Sequence, residues 1–173
     1  RATVRGVPGS GLSLREIADI AYFQTETLPP GVPAGLEASG RYRAEQLMIW
    51  ANATHLCTCE VDIATGRVTI LRYIVSEDCG PMINPNVVEG QIWGGTVQGI
   101  GGALYEHLAY DDTGNPVTTT FMDYLLPTAT EVPDIELGHI ETPSPGPGGH
   151  KGVGEGGAIG SAPAVVNAVA DAL

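Results

Sequence analysis

One carboxylate, Glu155, stands in a run of glycines, Lys151-Gly-Val-Gly-Glu155-Gly-Gly157, just ahead of an alanine- and valine-rich stretch. Flanked by Gly154, Gly156 and Gly157, it has little side-chain cover, so whatever approaches that backbone reaches the carboxylate directly. That suits a general base. The plainer alternative is a helix-start glutamate that meets the positive end of the helix dipole, worth under about 1 kcal/mol, and spacing alone leaves both open. The same residues, Gly152 to Gly157, spell G-x-G-x-x-G, but they fail as a dinucleotide fingerprint. Pro143 to His150 ahead of them read as loop and not strand, no second strand with an acidic ribose ligand can follow, and Glu155 would repel a pyrophosphate.

Other groups carry weaker signals. His55, Cys57 and Cys59 at i, i+2, i+4 would share one strand face as potential zinc ligands, with Cys79 as the obvious fourth. Small cysteines on a sheet face are more often plain core. His107, His139 and His150 lack neighbours for a catalytic triad, and only His150, beside Lys151, sits in the glycine loop. Gln98, between Val97 and Gly99, has the donors and acceptor to read the edge of a flat heterocycle, unless it is simply a solvated helix residue. Trp50 and Trp93 read as core anchors.

These groups must be positioned by a chain of 173 residues in which 24 glycines and 13 prolines outnumber the 28 charged side chains. That composition excludes a coiled coil or helical bundle. No apolar stretch reaches the ~20 residues of a membrane span, and no amino-terminal signal is visible. Eight basic against twenty acidic residues leave a net charge of −12, which disfavours nucleic acid and anionic membranes as partners. Three cysteines in a chain this large point to a reducing, cytoplasmic setting. A start at Arg1 and a stop inside an apolar run suggest a piece of a longer protein.

Ser13 and Glu16 form a capping box for a helix over 14–23. The proline-rich segment 27–40 is expected as an ordered crossing loop or a linker. Strand-rich runs at 47–63 and 68–75 around Ala64-Thr-Gly66 predict a hairpin, and 87–108 predicts a long helix. Its glycines 90, 94, 95, 99, 101 and 102 cost about 1 kcal/mol each against alanine, so a close backbone or a ligand must compensate. Further expectations are a hairpin turn at 112–115 between short strands, a strand at 135–140, a loop over 143–157, and a last helix from 162 with Pro163 in its first turn. The fold class is α+β: a mixed β-sheet with helices packed on it. The organisation is 1–45 as helix plus crossing loop and 46–173 as hairpin, glycine-rich helix, strands, glutamate loop and terminal helix.

Asp78-Cys-Gly80 with Ile83-Asn84-Pro85, then Val88-Glu-Gly-Gln91 and Val97-Gln98-Gly-Ile-Gly101, then Lys151-Gly-Val-Gly-Glu155, resemble in order and spacing the molybdopterin-binding large subunit of the xanthine dehydrogenase, aldehyde oxidase and carbon monoxide dehydrogenase family. The resemblance runs from about residue 12 to the end and covers the carboxy-terminal part of such a subunit, half of a molybdenum-cofactor-binding domain. It implies a molybdenum hydroxylase that oxidises an aldehyde or N-heterocycle with water-derived oxygen. Glu155 would be the general base adjacent to molybdenum, without ligating it. Gln98, Gly99, Lys151, Gly152, Val153 and Gly154 would contact the cofactor, molybdopterin in its cytosine dinucleotide form. The rest of the large subunit, iron–sulfur and FAD units, and a small-molecule substrate are the implied partners. No cysteine spacing here holds an iron–sulfur cluster. Residues after Glu155 depart from the carbon monoxide enzymes, which leaves that large subunit as the alternative, beside a non-catalytic scaffold or interaction domain. The isolated fragment is expected to be inactive, whether or not it holds cofactor.

Overall fold

The computed structural model describes residues 1–7, 9–43 and 48–173. The chain forms two compact units, Arg1–Arg43 and Ala44–Leu173. In the first, helix α1 (Leu14–Phe23) has the expected capping box: Ser13 Oγ accepts from Glu16 N at 3.2 Å, and Ser13 N donates to Glu16 Oε2 at 2.7 Å. A single 3-10 turn follows at Thr25–Thr27. The proline-rich segment then folds back on α1, with Gly35 N donating to Ala21 O and Tyr22 Oη to Glu37 Oε1.

The second unit is built on a mixed three-stranded sheet in the order β1-β2-β3. Strand β1 (Asn52–Asp62) turns through Gly66, whose φ of 74° only glycine adopts easily, into the antiparallel β2 (Arg67–Asp78). Strand β3 (Ile135–His139) adds in parallel to β2, pairing Tyr73 with Ile135. Helix α2 (Pro85–Leu104) begins where Asn84 caps Val87 N and Pro85 fills the first turn. Helix α3 (Gly156–Ala172) lies against β1 and β2, and α2 lies against α3. Tyr73 and Val75 of β2, Ile92 and Ile100 of α2, Ile135 of β3 and Val165 of α3 meet in one buried cluster. The architecture is the α+β arrangement expected, helices on a mixed sheet.

Close backbone approach explains part of the glycine content of α2. A Cβ on Gly95 would lie 2.8 Å from Ala158 N and 3.1 Å from Gly157 Cα, and one on Gly99 would strike Ser161. Because Gly95 meets residues 157 and 158 and Gly99 meets 158 and 161, the two helices run parallel. Gly90, Gly94 and Gly102 face open space in this chain.

Several boundaries differ from the sequence reading. Strand β1 starts at Asn52 and not at residue 47, which lies outside the described residues. Helix α2 starts two residues earlier than expected and stops at Leu104, because Tyr105 and Glu106 both donate to Gly101 O and Glu106 turns to the Tyr124 hydroxyl. Helix α3 starts at Gly156 and not at 162, which puts Pro163 inside it on an exposed face; packing on α2 overrides the poor propensity of Gly156, Gly157 and Gly160. The turn after Asp111 forms, but its flanks make one bridge, Tyr110 to Pro116, and not strands. Trp50 is 69% exposed and Trp93 46%, so neither anchors this core; Trp93 Nε1 donates to Ile135 O at the edge of the sheet.

Candidate functional site

Strand β2 sets its inward parity with Tyr73 and Val75, and the next inward residue is Glu77, only 1% exposed. Beyond it the chain reaches Asp78, whose carboxylate gathers the glycine loop from a distance in sequence. Lys151 Nζ donates to Asp78 Oδ2 at 2.9 Å, Thr142 N and Gly80 N donate to Oδ1 at 3.1 and 3.0 Å, and the Thr142 hydroxyl also donates to Oδ2. Hydrogen bonds from Thr142 and Lys151 hold the Asp78 carboxyl far below the usual carboxylate range. Lys151 N donates to Cys79 O at 2.8 Å, and His150 Nδ1 donates to Pro81 O at 2.7 Å. His150 and Lys151 are therefore engaged in tying the loop to the end of β2.

With its base pinned, the loop runs through Gly152, Val153 and Gly154 to Glu155, the N-cap residue of α3. The Glu155 side chain makes no capping bond; its main-chain carbonyl accepts from Ala158 N and Ile159 N instead. The side chain is exposed. A cavity of about 370 Å³ opens here, lined by Gly152 to Gly156, by Ile159 and Gly160 of α3, by His55 of β1 with the segment Trp50 to Ala53, and by Glu77. The loop presents bare backbone: nothing lies within 4 Å of a Cβ built on Gly152, and only Gln91 Nε2, at 3.7 Å, near one on Gly154.

Inside the cavity His55 is held at both ring nitrogens. Gly156 O accepts from Nε2 at 3.2 Å, which leaves Nδ1 to accept from the Tyr73 hydroxyl at 3.1 Å. Burial pushes the ring's pKa below the usual histidine value, so the ring is neutral at neutral pH. Burial likewise raises the Cys57 thiol to about 11, so it carries no thiolate there. His55, Cys57 and Cys59 do share the inner face of β1, as their spacing implied. Among the described residues no group of three or more His, Cys, Asp or Glu is arranged to hold a metal ion.

Of the residues singled out from the sequence, Gly152, Val153, Gly154 and Glu155 come together at the cavity. Gln98 is exposed on α2, Gly99 is buried against α3, and Lys151 is turned to Asp78; none of the three lines the cavity. Sequence reasoning missed Glu77 and gave His55 only a metal role. The available signal was parity: a charged residue at an inward position of a strand whose other inward residues are Tyr73 and Val75.

Residues 1–133 match the family model described as the molybdopterin cofactor-binding domain. Over 173 residues the chain is 44% identical to the nicotine 6-hydroxylase large subunit of Paenarthrobacter nicotinovorans, covering 99% of this chain and 21% of that protein. It is 40% identical over 168 residues to the carbon monoxide dehydrogenase large chain of Hydrogenophaga pseudoflava, covering 96% and 21%. The crystal structure of quinoline 2-oxidoreductase from Pseudomonas putida 86 superimposes with a TM-score of 0.85 at 49% identity, covering 99% of this chain and 22% of that one. The chain thus spans about a fifth of the length of these relatives.

Proposed function

The chain belongs to the molybdopterin cofactor-binding domain family, and from that premise we propose that it is the carboxy-terminal part of the large subunit of a molybdenum hydroxylase, with Glu155 as its general base. The observation that carries this reading is a carboxylate without a hydrogen-bonding partner among the described residues, standing on a bare glycine loop at the mouth of a cavity. A structural cap would spend that carboxylate on the helix amides; this one is left available.

The residues present fit such a cofactor. Gly152 and Gly154 leave the main chain open to close approach. At a net charge of −12 the chain has few cations to offer phosphates, so backbone donors take that role, with other segments of the parent subunit. In this reading the cofactor is the cytosine dinucleotide form of molybdopterin, contacted by Gly152, Val153 and Gly154, with Gln98 and Gly99 on α2 contributing from outside the cavity. Lys151 acts by holding the loop against Asp78. When bound, the cofactor would take up the two electrons that leave with the hydrogen of the substrate C–H bond as that carbon gains water-derived oxygen. Glu155 accepts, at a carboxylate oxygen, the proton that the oxygen sheds as it attacks the substrate carbon. His55, neutral and fixed at both nitrogens, keeps one cavity wall rigid without competing for that proton.

An N-heterocycle is the favoured substrate class, an aldehyde the next. Two of the similar proteins are named for nicotine and quinoline, both N-heterocycles. The similarity to a carbon monoxide dehydrogenase large chain supports carbon monoxide as the second reading. Iron–sulfur and flavin units would carry electrons away. Three free cysteines, and no described helix long and apolar enough to cross a membrane, are in keeping with a cytoplasmic enzyme.

The test is isotopic. The full-length subunit in its complex, given N-heterocycles and aldehydes in oxygen-18 water, should release hydroxylated product carrying the label. Label drawn from dioxygen, or oxidation of carbon monoxide alone, would overturn the assignment.

A further inference from the structure

Glu77 is a buried side chain whose two polar atoms have no partner: among the described residues neither Oε1 nor Oε2 finds a donor. It does not sit in a closed core. It lines the same cavity as Glu155. Its carboxyl lies beneath the first residue of α3, where a Cβ on Gly156 would come within 2.6 Å of Oε2 and 2.8 Å of Cδ. Glycine at 156 therefore keeps room for this carboxyl.

A charged carboxylate in that place would lack every usual support. The nearby cation, Lys151, is taken by Asp78. The titratable groups that line the cavity or adjoin Glu77 in the chain are Asp78 and Cys79, His55 from β1 and Glu155 at the start of α3, and none supplies a positive charge at neutral pH; His139, its register partner on β3, faces Glu89 of α2 at 3.8 Å. Burial, and then the negative charge of Asp78, push the Glu77 pKa up. Two ionised carboxyls lining one cavity would also repel each other. A neutral acid avoids both costs and gains something a carboxylate lacks, an O–H donor. That donor has no acceptor among the described residues, and the residue that carries it lines the cavity.

We propose that Glu77 is a second cofactor-binding residue of this site: as a neutral carboxylic acid it donates a hydrogen bond across the cavity to an acceptor atom of the bound cofactor, opposite the Glu155 carboxylate. The two carboxyls then divide the work, one holding a proton as a fixed donor and the other free to take one up. The inference rests on the reading of this cavity as the cofactor-facing site.

Infrared difference spectroscopy on the full-length subunit in its complex tests it, comparing cofactor-loaded with cofactor-free protein at neutral pH. The expected result is a protonated-carboxyl carbonyl band in both states, displaced on loading and lost in Glu77→Gln, with cofactor content of that variant near wild type because the amide keeps a donor of the same shape. Carbon-13 glutamate labelling identifies the band in the wild-type protein alone should the variant fail to fold. A band at the same position in both states, or no such band, overturns the inference. The catalytic reading fails separately: if Glu155→Gln keeps full turnover while the Glu77 band still moves on loading, Glu155 is not the base and the Glu77 contact stands.

Discussion

Replacing Gly95 by alanine would set two effects against each other, and the structure decides which wins. Alanine gains about 1 kcal/mol of intrinsic helix preference over glycine at a helical position. Against that, the new Cβ would lie 2.8 Å from Ala158 N and 3.1 Å from Gly157 Cα, atoms of the α3 backbone that cannot rotate aside as a side chain would. Restoring an ordinary separation of about 3.5 Å moves the helices apart by roughly 0.7 Å. That loosens Ile92 and Val165, both at zero exposure in the core. Overpacking costs about 1–3 kcal/mol, and an immovable backbone neighbour puts this site at about 2–3, so after the helix gain the net effect is a loss of about 1–2 kcal/mol. Hydrogen exchange reads such a local loss without requiring two-state unfolding of a large subunit. Amides of α2 and α3 in the full-length Gly95→Ala protein should exchange roughly 5–30-fold faster, while α1 is unchanged. Exchange that is unchanged or slower would mean that α2 and α3 are not in backbone contact at this glycine.

Further outcomes follow from the residues around the cavity. Asp78→Asn leaves the Lys151 ammonium without its partner, so the segment from Thr142 to Lys151 should become sensitive to limited proteolysis, and the double variant with Lys151→Met should recover part of the protection. The intact pair persists through the neutral range, since the Asp78 carboxyl protonates only in strong acid. His55 has a lowered folded pKa, so the unfolded chain binds its proton first as pH falls. The protection of β1 amides should therefore decline below the ordinary histidine value of about 6.5, and His55→Gln should remove that pH dependence. The isolated 173-residue chain should oxidise none of the proposed substrates, because it spans about a fifth of its relatives; turnover by the purified chain would contradict this.

Much of this arrangement was legible because the signals are local. Ser13 and Glu16 announce α1, Gly66 announces the hairpin, and Asn84-Pro85 announces α2; each acts within a few residues of the element it shapes. Helix α3 was misplaced by six residues for the opposite reason. Gly156, Gly157 and Gly160 read as loop by propensity, and only contact with Ile92, Glu77 and His55, distant in sequence, makes them helix. Trp50 and Trp93 look like core by composition, yet both are exposed, at 69% and 46%. The glycine loop and Glu155 could be picked out as a site from their bare neighbourhood. Glu77 shows in the sequence only as a charge at an inward strand position; its meaning depends on the cavity that a different part of the chain closes around it.

The role of Glu155 is tested most directly by a single-turnover measurement of cofactor reduction by substrate in the loaded, full-length enzyme carrying Glu155→Gln. The side chain is exposed and makes no capping bond, so the amide should cost under about 1 kcal/mol in folding and leave cofactor content unchanged. Loss of a general base should slow reduction by about 10²–10⁴-fold, roughly 3–5 kcal/mol of barrier. Reduction at the wild-type rate in a variant with full cofactor content would contradict the assignment.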